Sequence, residues 1–275
     1  MARILVTGGS GYLGCHLVPA LQAAHEVLYT YFHNDPLQGK NGFQVDLRDE
    51  TAVLQLIHTS QPDVIIHTAG SNRGADMGDV IRLGTQNVVR GAQAVSSQLI
   101  HFSTDSIFSG NDAPYDETAV PDPVNEYGRA KADAEQFVQE YTHHIIIRTS
   151  LIYSLQEMDH GTVWMAAALE AGEPVTLFDN QVRNPVWVET LTAVSAELIN
   201  HAYTGILNVA GEQVMTRADF SLRMLDWWQI KKRDSLTIAP SQTGSWPLNC
   251  ELDLGRARKI LKTPLLGVDT VLQQV

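Results

Sequence analysis

Tyr127 and Lys131 are the residues whose types and spacing point most directly to chemistry. They lie four positions apart, and of the eight tyrosines in the chain only Tyr127 has a lysine at this spacing. On a helix, such residues share one face, one turn apart. A phenol of pKa about 10 is a poor proton donor near neutral pH unless a nearby cation lowers that pKa. The pair therefore predicts a proton donor for the alkoxide that forms when hydride is added to a carbonyl.

Thr104 is predicted to lie beside this pair. It stands near the end of a predicted buried strand that runs from Leu99 towards Asp105. The carboxyl ends of strands are where a doubly wound sheet collects its ligands. We expect the Thr104 hydroxyl to bind the substrate oxygen and align it with Tyr127. The predicted catalytic residues are Thr104, Tyr127 and Lys131.

Three glycines follow the first predicted strand directly and precede the first predicted helix. Gly8 permits a tight turn, Gly11 lets backbone N–H groups approach a pyrophosphate, and Gly14 allows close packing of the helix on the strand. The helix N-terminus adds partial positive charge. This turn therefore predicts dinucleotide binding.

Short apolar runs alternate with longer amphipathic segments along the chain. The predicted strands cover residues 4–6, 26–31, 42–45, 64–68, 99–102, 144–148 and 205–210. The predicted helices cover residues 13–24, 51–60, 79–96, 126–141 and 188–203. This order predicts an α/β protein with a Rossmann-type, doubly wound parallel sheet. We assign residues 1–153 and 181–212 to an NAD(P)-binding domain and residues 154–180 and 213–275 to a small substrate-binding lobe.

Composition narrows the classes of ligand and location. The 275 residues include 19 basic and 31 acidic side chains, a formal charge of −12, which disfavours nucleic acid and anionic membranes as partners. The two cysteines and the lack of zinc-type spacing predict neither a disulfide framework nor a metal site. The first apolar run is too short for a signal peptide or a membrane span, so we expect a cytoplasmic protein.

The GxxGxxG turn resembles that of the short-chain dehydrogenase/reductase superfamily, as do the segments FQVDL (residues 43–47) and HTAG (residues 67–70). Within it, STDSIFSG (residues 103–110) resembles the STDYVFDG motif of the RmlD branch, the dTDP-4-dehydrorhamnose reductases. The segments PYDE and RTSLIY, at residues 114–117 and 148–153, are similar to further motifs of that branch. The likeness spans nearly the whole chain.

The resemblance implies an NAD(P)H-dependent reductase that acts on a keto group of a nucleotide-linked sugar. No acidic residue ends the second strand, which favours NADP, with NAD as the alternative. The cofactor-binding residues implied are Gly8, Ser10, Gly11, Tyr12, Leu13, Gly14, Asp46, Leu47, Ala69, Gly70, Tyr127 and Lys131. The substrate-binding residues implied are Thr104, Asp105, Ser106 and Arg183.

Arg183 is chosen because residues 181–262 hold ten basic and eight acidic side chains, against 9 and 23 in the rest of the chain. Its place at the return from the lobe to the sheet suits the anionic end of a substrate. Arg217 and Arg256 are the alternatives in the same part of the chain.

Four positions depart from the pattern of the family. Ser106 stands in place of a tyrosine, Leu151 in place of a tryptophan, and Trp246 where an arginine commonly precedes Pro247. Ile81 occupies the place of an asparagine that supports the lysine and a water in many members. These departures leave the identity of the sugar open and suggest a different proton relay.

Two other functions remain open. An epimerase or dehydratase on a nucleotide sugar uses the same triad but regenerates its cofactor. A non-catalytic, NADP-binding regulatory subunit is the second, because the branch also resembles the regulatory subunit of methionine adenosyltransferase. A homodimer is a possible assembly.

Overall fold

The computed structural model describes residues 1–70, 73–242, 244 and 246–274. In chain order, its strands are β1 (Arg3–Thr7), β2 (Glu26–Tyr31), β3 (Gly42–Gln44), β4 (Val64–His67), β5 (Gln98–Thr104), β6 (His144–Thr149), β7 (Ile152–Tyr153), β8 (Val175–Phe178), β9 (Val182–Arg183), β10 (Val186–Trp187), β11 (Gly205–Asn208), β12 (Met215–Thr216) and β13 (Leu236–Ala239). Its helices are α1 (Tyr12–Gln22), α2 (Glu50–Ser60), α3 (Met77–Val95), α4 (Glu126–Gln139), α5 (His160–Ala171), α6 (Val188–Leu198), α7 (Arg217–Trp227), α8 (Ala257–Ile260) and α9 (Val268–Gln274). A 3-10 helix covers Asp105–Ile107.

Seven of these strands form one parallel sheet in the order β11-β6-β5-β4-β1-β2-β3. In its middle, Ile4 of β1 pairs with Val27 of β2 on one side and with Val64 of β4 on the other. Apolar runs of this kind are buried on both faces, as central parallel strands require. The strand order reverses between β1 and β4, and the crevice outside such a switch point is where open α/β sheets bind ligands.

Helices cover both faces of the sheet. On one face, Leu17 of α1 and Leu191 of α6 are fully buried in the same core. On the other face, α2, α3 and α4 pack around residues such as Ile57 and Val88. The predicted doubly wound Rossmann fold is confirmed.

A second group of elements lies beside the sheet. There β8 pairs in parallel with β13, and α5 and α7 pack together around Leu169 and Leu225. The later residues Cys250 and Leu261 belong to the main core instead. The division into a dinucleotide-binding domain and a substrate lobe stays a prediction.

Apart from the end of α6, the predicted bounds agree with the structure or differ from it by one or two residues. The helix predicted to reach Tyr203 ends at Leu198. Ile199 is extended, and Asn200 has a φ of +58°, a left-handed conformation that asparagine tolerates better than most residues. The chain therefore turns there before it enters β11.

Candidate active site

A cleft of about 820 Å³ opens at the carboxyl ends of β1, β2, β4, β5 and β6. Most of the predicted site residues line it. They are Gly8, Ser10, Gly11, Tyr12, Leu13, Asp46, Leu47, Ala69, Gly70, Thr104, Asp105, Ser106, Tyr127 and Arg183. Gly14 and Lys131 are not among its lining residues, because both lie beneath its surface. The cleft thus joins the glycine turn and the Tyr127 region in one space.

The backbone conformation of the turn between β1 and α1 requires a glycine at position 8. Its φ is +80°, and a Cβ atom there would lie 2.7 Å from the backbone nitrogen of Ala69. Its amide donates to the Thr30 hydroxyl at 3.0 Å, which ties the turn to β2. Gly14 is equally constrained, since a Cβ atom there would lie 2.4 Å from the Gly8 carbonyl oxygen.

Gly11 is different, because the protein alone does not demand a glycine there. Its φ is −78°, and the one atom close to an added Cβ is the Gly8 carbonyl oxygen at 3.2 Å. It is the N-cap residue of α1 and, as a glycine, makes no side-chain hydrogen bond to the first turn of that helix. A helix N-terminus that begins at a glycine in the lining of the cleft suits the pyrophosphate of a dinucleotide. The residues present therefore fit the predicted cofactor.

The predicted adenine side of the cleft is built from β2 and from the loop after β3. Asp46 forms an ion pair with Arg48 at 2.6 Å, and hydrogen bonds from Arg48 lower the pKa of the Asp46 carboxyl. Arg48 also pairs with Asp76 at 2.6 Å, and its guanidinium lies 5.9 Å from the centre of the Phe32 ring. Asp46 is thus held at the edge of the cleft, and its contact with adenine stays a prediction.

Tyr127 lies in the first turn of α4, whose start is capped by Asn125. The Asn125 side chain accepts a hydrogen bond from the Gly128 amide at 2.9 Å. The partly buried Tyr127 side chain lies close to Thr104 in the lining of the same cleft, so two of the three predicted catalytic residues are brought together. Burial raises the pKa of the phenol to about 12; the nearby Thr104 side chain opposes this rise and Asp105 adds to it.

Lys131 lies one turn further along α4 and is 3% exposed. Its Nζ donates to the Phe102 carbonyl oxygen at 2.5 Å and lies 3.4 Å from Nε2 of His101. Burial lowers the pKa of Lys131 to about 8, although Glu135 opposes this. Burial is the largest influence on the pKa of Tyr127, and the lowering of that pKa by Lys131 stays a prediction.

Asp105 forms a buried polar cluster at the floor of the cleft. It accepts hydrogen bonds from Ser150 at 2.6 Å and from Ser106 at 3.2 Å. Nε of Arg183 lies 3.4 Å from the same carboxylate. Ser106, Asp105 and Arg183 are therefore brought together next to Thr104.

The three arginines considered for substrate binding differ in their surroundings. Arg183 is 3% exposed, and its guanidinium donates to the carbonyl oxygens of Val182, Pro247 and Leu248. Arg256 is not a lining residue of the cleft and lies 3.4 Å from Glu117.

Arg217 lines the cleft and donates to the neutral amide of Gln181 at 3.3 Å. It forms no ion pair within the described part of the chain, and burial, with Arg183 nearby, lowers its pKa. Arg217 is thus the arginine of the three whose charge is least satisfied.

The departures from the family pattern lie in or beside the cleft. Ser106, Leu151 and Trp246 line it. Ile81 is buried and packs with Ala130 and Ala134 of α4. The side of α4 that faces α3 is therefore apolar at this point.

Several lining residues were not singled out from the sequence. Thr30, Ser150, His160 and Phe178 are among them. Thr30 and Ser150 stand near the ends of predicted strands. A polar residue at the end of a strand could therefore have predicted that they line the cleft. His160 and Phe178 come from α5 and β8, and only the tertiary arrangement brings them to the cleft.

Two features are absent from the part of the chain that the structure describes, a metal-binding cluster and a membrane-spanning helix. No group of three or more His, Cys, Asp or Glu side chains is arranged to hold a metal ion. Within the same residues, no helix combines the length and the apolar character needed to span a bilayer.

Comparisons with known proteins find relatives that match nearly the whole chain. The dTDP-4-keto-6-deoxy-D-glucose reductase of Streptomyces niveus is 29% identical over 252 residues, which cover 86% of this chain and 84% of that protein. The methionine adenosyltransferase 2 subunit beta of Rattus norvegicus is 26% identical over 274 residues, with coverage of 92% and 81%. The crystal structure of a hypothetical dTDP-4-dehydrorhamnose reductase from Sulfolobus tokodaii matches with a TM-score of 0.84 at 28% identity and covers 97% of each chain.

The family model described as "RmlD substrate binding domain" matches residues 2–265, nearly the whole chain. The branch predicted from the motifs at residues 103–110 and 148–153 is therefore confirmed. The chain belongs to the RmlD substrate binding domain family.

Proposed function

We propose that this protein is an NAD(P)H-dependent reductase of a keto group on a nucleotide-linked sugar. The observation that carries the proposal is that one cleft joins the glycine turn at Gly11 to the neighbouring side chains of Tyr127 and Thr104. Relatives named as reductases of dTDP-linked keto sugars support the same reaction class.

The glycine turn and the start of α1 would hold the pyrophosphate of the cofactor, which supplies the hydride when it is bound. Asp46 and Leu47 would lie at its adenine end, with Ala69 and Gly70 beside its ribose. NADP is the cofactor that we favour, because residues 31–34 place no acidic side chain at the end of β2 to hold a free ribose hydroxyl. NAD is the alternative.

Tyr127 is the proton donor in this proposal. Its raised pKa keeps the phenol protonated at neutral pH, which is the state that a reduction requires. Thr104 would bind the carbonyl oxygen and bring it to the phenol. Lys131 remains charged at pH 7, since its pKa is about 8, and its positive charge would stabilise the phenolate that remains after the proton has moved.

The substrate would enter between the end of β5 and the residues contributed by α5, β8 and α7. Asp105, Ser106 and Ser150 offer hydrogen-bonding groups for sugar hydroxyls. Arg217 would contact the anionic end, since it lines the cleft without a carboxylate partner in the described residues. Arg183, which the sequence favours for that contact, would act by holding Asp105 and the segment at 247–248.

The second candidate is a regulatory subunit that binds NADP without catalysis, which the similarity to the rat methionine adenosyltransferase subunit favours. The test is oxidation of NADPH by the wild-type protein with a panel of keto-sugar nucleotides that includes dTDP-4-keto-6-deoxy-D-glucose. Stoichiometric NADPH consumption is expected. Sugar conversion without net consumption would indicate an epimerase or dehydratase, and NADPH binding without any conversion would favour the regulatory subunit.

The assembly and the location are also proposals. Cys15 and Cys250 are both free thiols, which supports the reducing cytoplasm as the location. We propose a homodimer, which sedimentation of the purified protein tests directly.

A further inference from the structure

Beneath the cleft, the Lys131 ammonium lies in a polar pocket made by β5. Its Nζ contacts the Phe102 carbonyl oxygen at 2.5 Å and Nε2 of His101 at 3.4 Å. Both side chains are removed from solvent, since Lys131 is 3% exposed and His101 is fully buried. A desolvated ammonium needs acceptors on every side where water is missing. Strand β5 supplies two of these acceptors, the Phe102 carbonyl oxygen and Nε2 of His101.

The neighbouring helix α3 places an apolar side chain, Ile81, against α4. Ile81 is fully buried against Ala130 and Ala134. The polar contacts of Lys131 described above come from β5 instead.

The chemistry of the contact fixes the tautomer of His101. A lysine ammonium has three donors and no acceptor, so Nε2 must present its lone pair and the ring proton must lie on Nδ1. Nδ1 is buried and has no hydrogen-bond partner in the described part of the structure. Burial and the charge of Lys131 keep the pKa of His101 well below 6.5, so the ring is neutral and able to accept.

We infer that His101 is a positioning residue for Lys131, which holds the ammonium through Nε2. The inference rests on the proposed function, in which Lys131 assists Tyr127. His101 touches neither the cleft nor Tyr127, so it acts only through Lys131.

Other titratable groups surround Lys131 and His101, and their titration could also affect a pH profile. His67 of β4 lies with its ring 5.1 Å from that of His101 and is hydrogen-bonded to Thr7 and Thr85. Burial and Lys131 lower the pKa of His67 to about 3, so it is neutral throughout. His144 of β6 faces His101, and Glu135 and Tyr127 lie on α4 itself.

The test compares His101→Leu with His101→Gln, whose amide oxygen restores an acceptor. Without an acceptor, the charged form of Lys131 loses stabilisation and its pKa falls. The alkaline fall in the single-turnover rate of NADPH oxidation with dTDP-4-keto-6-deoxy-D-glucose should then move down by about one pH unit in His101→Leu, as expected for the loss of one hydrogen bond to a charged group. His101→Gln should keep the wild-type profile. A His101→Leu profile that superimposes on that of the wild type overturns the inference.

A second measurement serves if His101→Leu does not fold. Nitrogen NMR of histidine-labelled wild-type protein should report a neutral His101 with its proton on Nδ1, and its Nε2 signal should move in Lys131→Met. A proton on Nε2 overturns the inference. Failure of the proposed function has a different sign, which is that Tyr127→Phe turns over as fast as the wild type. The two failures are therefore distinguishable.

Discussion

At the scale of single residues, Tyr127 and Lys131 have pKa values shifted in opposite directions by the same cause. Burial disfavours the charged form of each group, so the pKa of the phenol rises to about 12 and that of the ammonium falls to about 8. Near pH 7 both groups are protonated, which suits proton donation. Only Lys131 changes its state on the alkaline side of neutrality.

The rate of reduction is therefore expected to fall as the pH rises through about 8, because Lys131 loses its charge there. Tyr127 stays protonated over that range and cannot cause the fall. Single-turnover NADPH oxidation measured across this range checks the expectation. A rate that is level well above pH 8 would contradict the assignment of Lys131.

Arg217→Gln is expected to raise KM for a nucleotide sugar with little change in the affinity for NADPH. Removing one charge-assisted contact costs about 1.5–3 kcal/mol, or roughly a tenfold to hundredfold rise in KM. Steady-state kinetics with the accepted sugar measure this. The control is Arg258→Gln, an exposed arginine of the same part of the chain that lies 3.7 Å from Glu212. Equal KM values in both variants would remove Arg217 from the site.

At the scale of elements, the turn between β1 and α1 contains glycines with two different roles, one in packing and one in the proposed cofactor site. A Cβ atom at Gly14 would clash with the Gly8 carbonyl oxygen, whereas Gly11 lines the cleft and a Cβ atom there would meet only that oxygen, at 3.2 Å. Gly11→Val is expected to weaken NADPH binding by about tenfold or more, or at least 1.4 kcal/mol, because its side chain occupies the place of the pyrophosphate.

The fold of Gly11→Val should survive, with an unfolding midpoint near that of the wild type. The contrast is Gly14→Ala, whose Cβ clashes at 2.4 Å and should lower both stability and binding. Titration of NADPH fluorescence beside thermal unfolding separates the two variants. Wild-type affinity in Gly11→Val would rule out the phosphate cradle.

The anchoring of α4 to the sheet depends on a buried ion pair. Arg148 of β6 lies 2.8 Å from Glu135 of α4, and both side chains are almost fully buried. Ser103 donates to the same carboxylate at 2.5 Å, and the Arg148 guanidinium lies 5.2 Å from the centre of the Phe108 ring. This pair fixes the helix that carries Tyr127 and Lys131.

Arg148→Met leaves the Glu135 charge buried without its partner, and we expect a loss of about 3–5 kcal/mol in the free energy of unfolding. Urea unfolding followed by tryptophan fluorescence measures it. The matched control is Arg90→Met, whose exposed pair with Glu50 should contribute less than about 1 kcal/mol. Similar losses in both variants would show that the buried pair does not anchor α4.

At the scale of the whole molecule, the sequence predicted those features that depend on residues close together in the chain. The apolar runs predicted the seven strands of the sheet, and the spacing of Gly8, Gly11 and Gly14 predicted the turn, because both depend on neighbouring residues. The contact of Lys131 with His101 was not predictable, since 30 positions separate the two residues. The burial of Arg183 by residues 247 and 248 depends on a contact across more than 60 positions. Such contacts arise only from the packing of distant segments.

The central claim is that Tyr127 donates the proton in the reduction of a keto sugar, and one comparison tests it most directly. Tyr127→Phe removes a single hydroxyl and leaves the packing of α4 in place. The measurement is single-turnover NADPH oxidation by this variant and by the wild type, with a titration of NADPH binding for each. We expect unchanged affinity and a rate lower by about 10² to 10⁴. Equal rates for Tyr127→Phe and the wild type would contradict the claim.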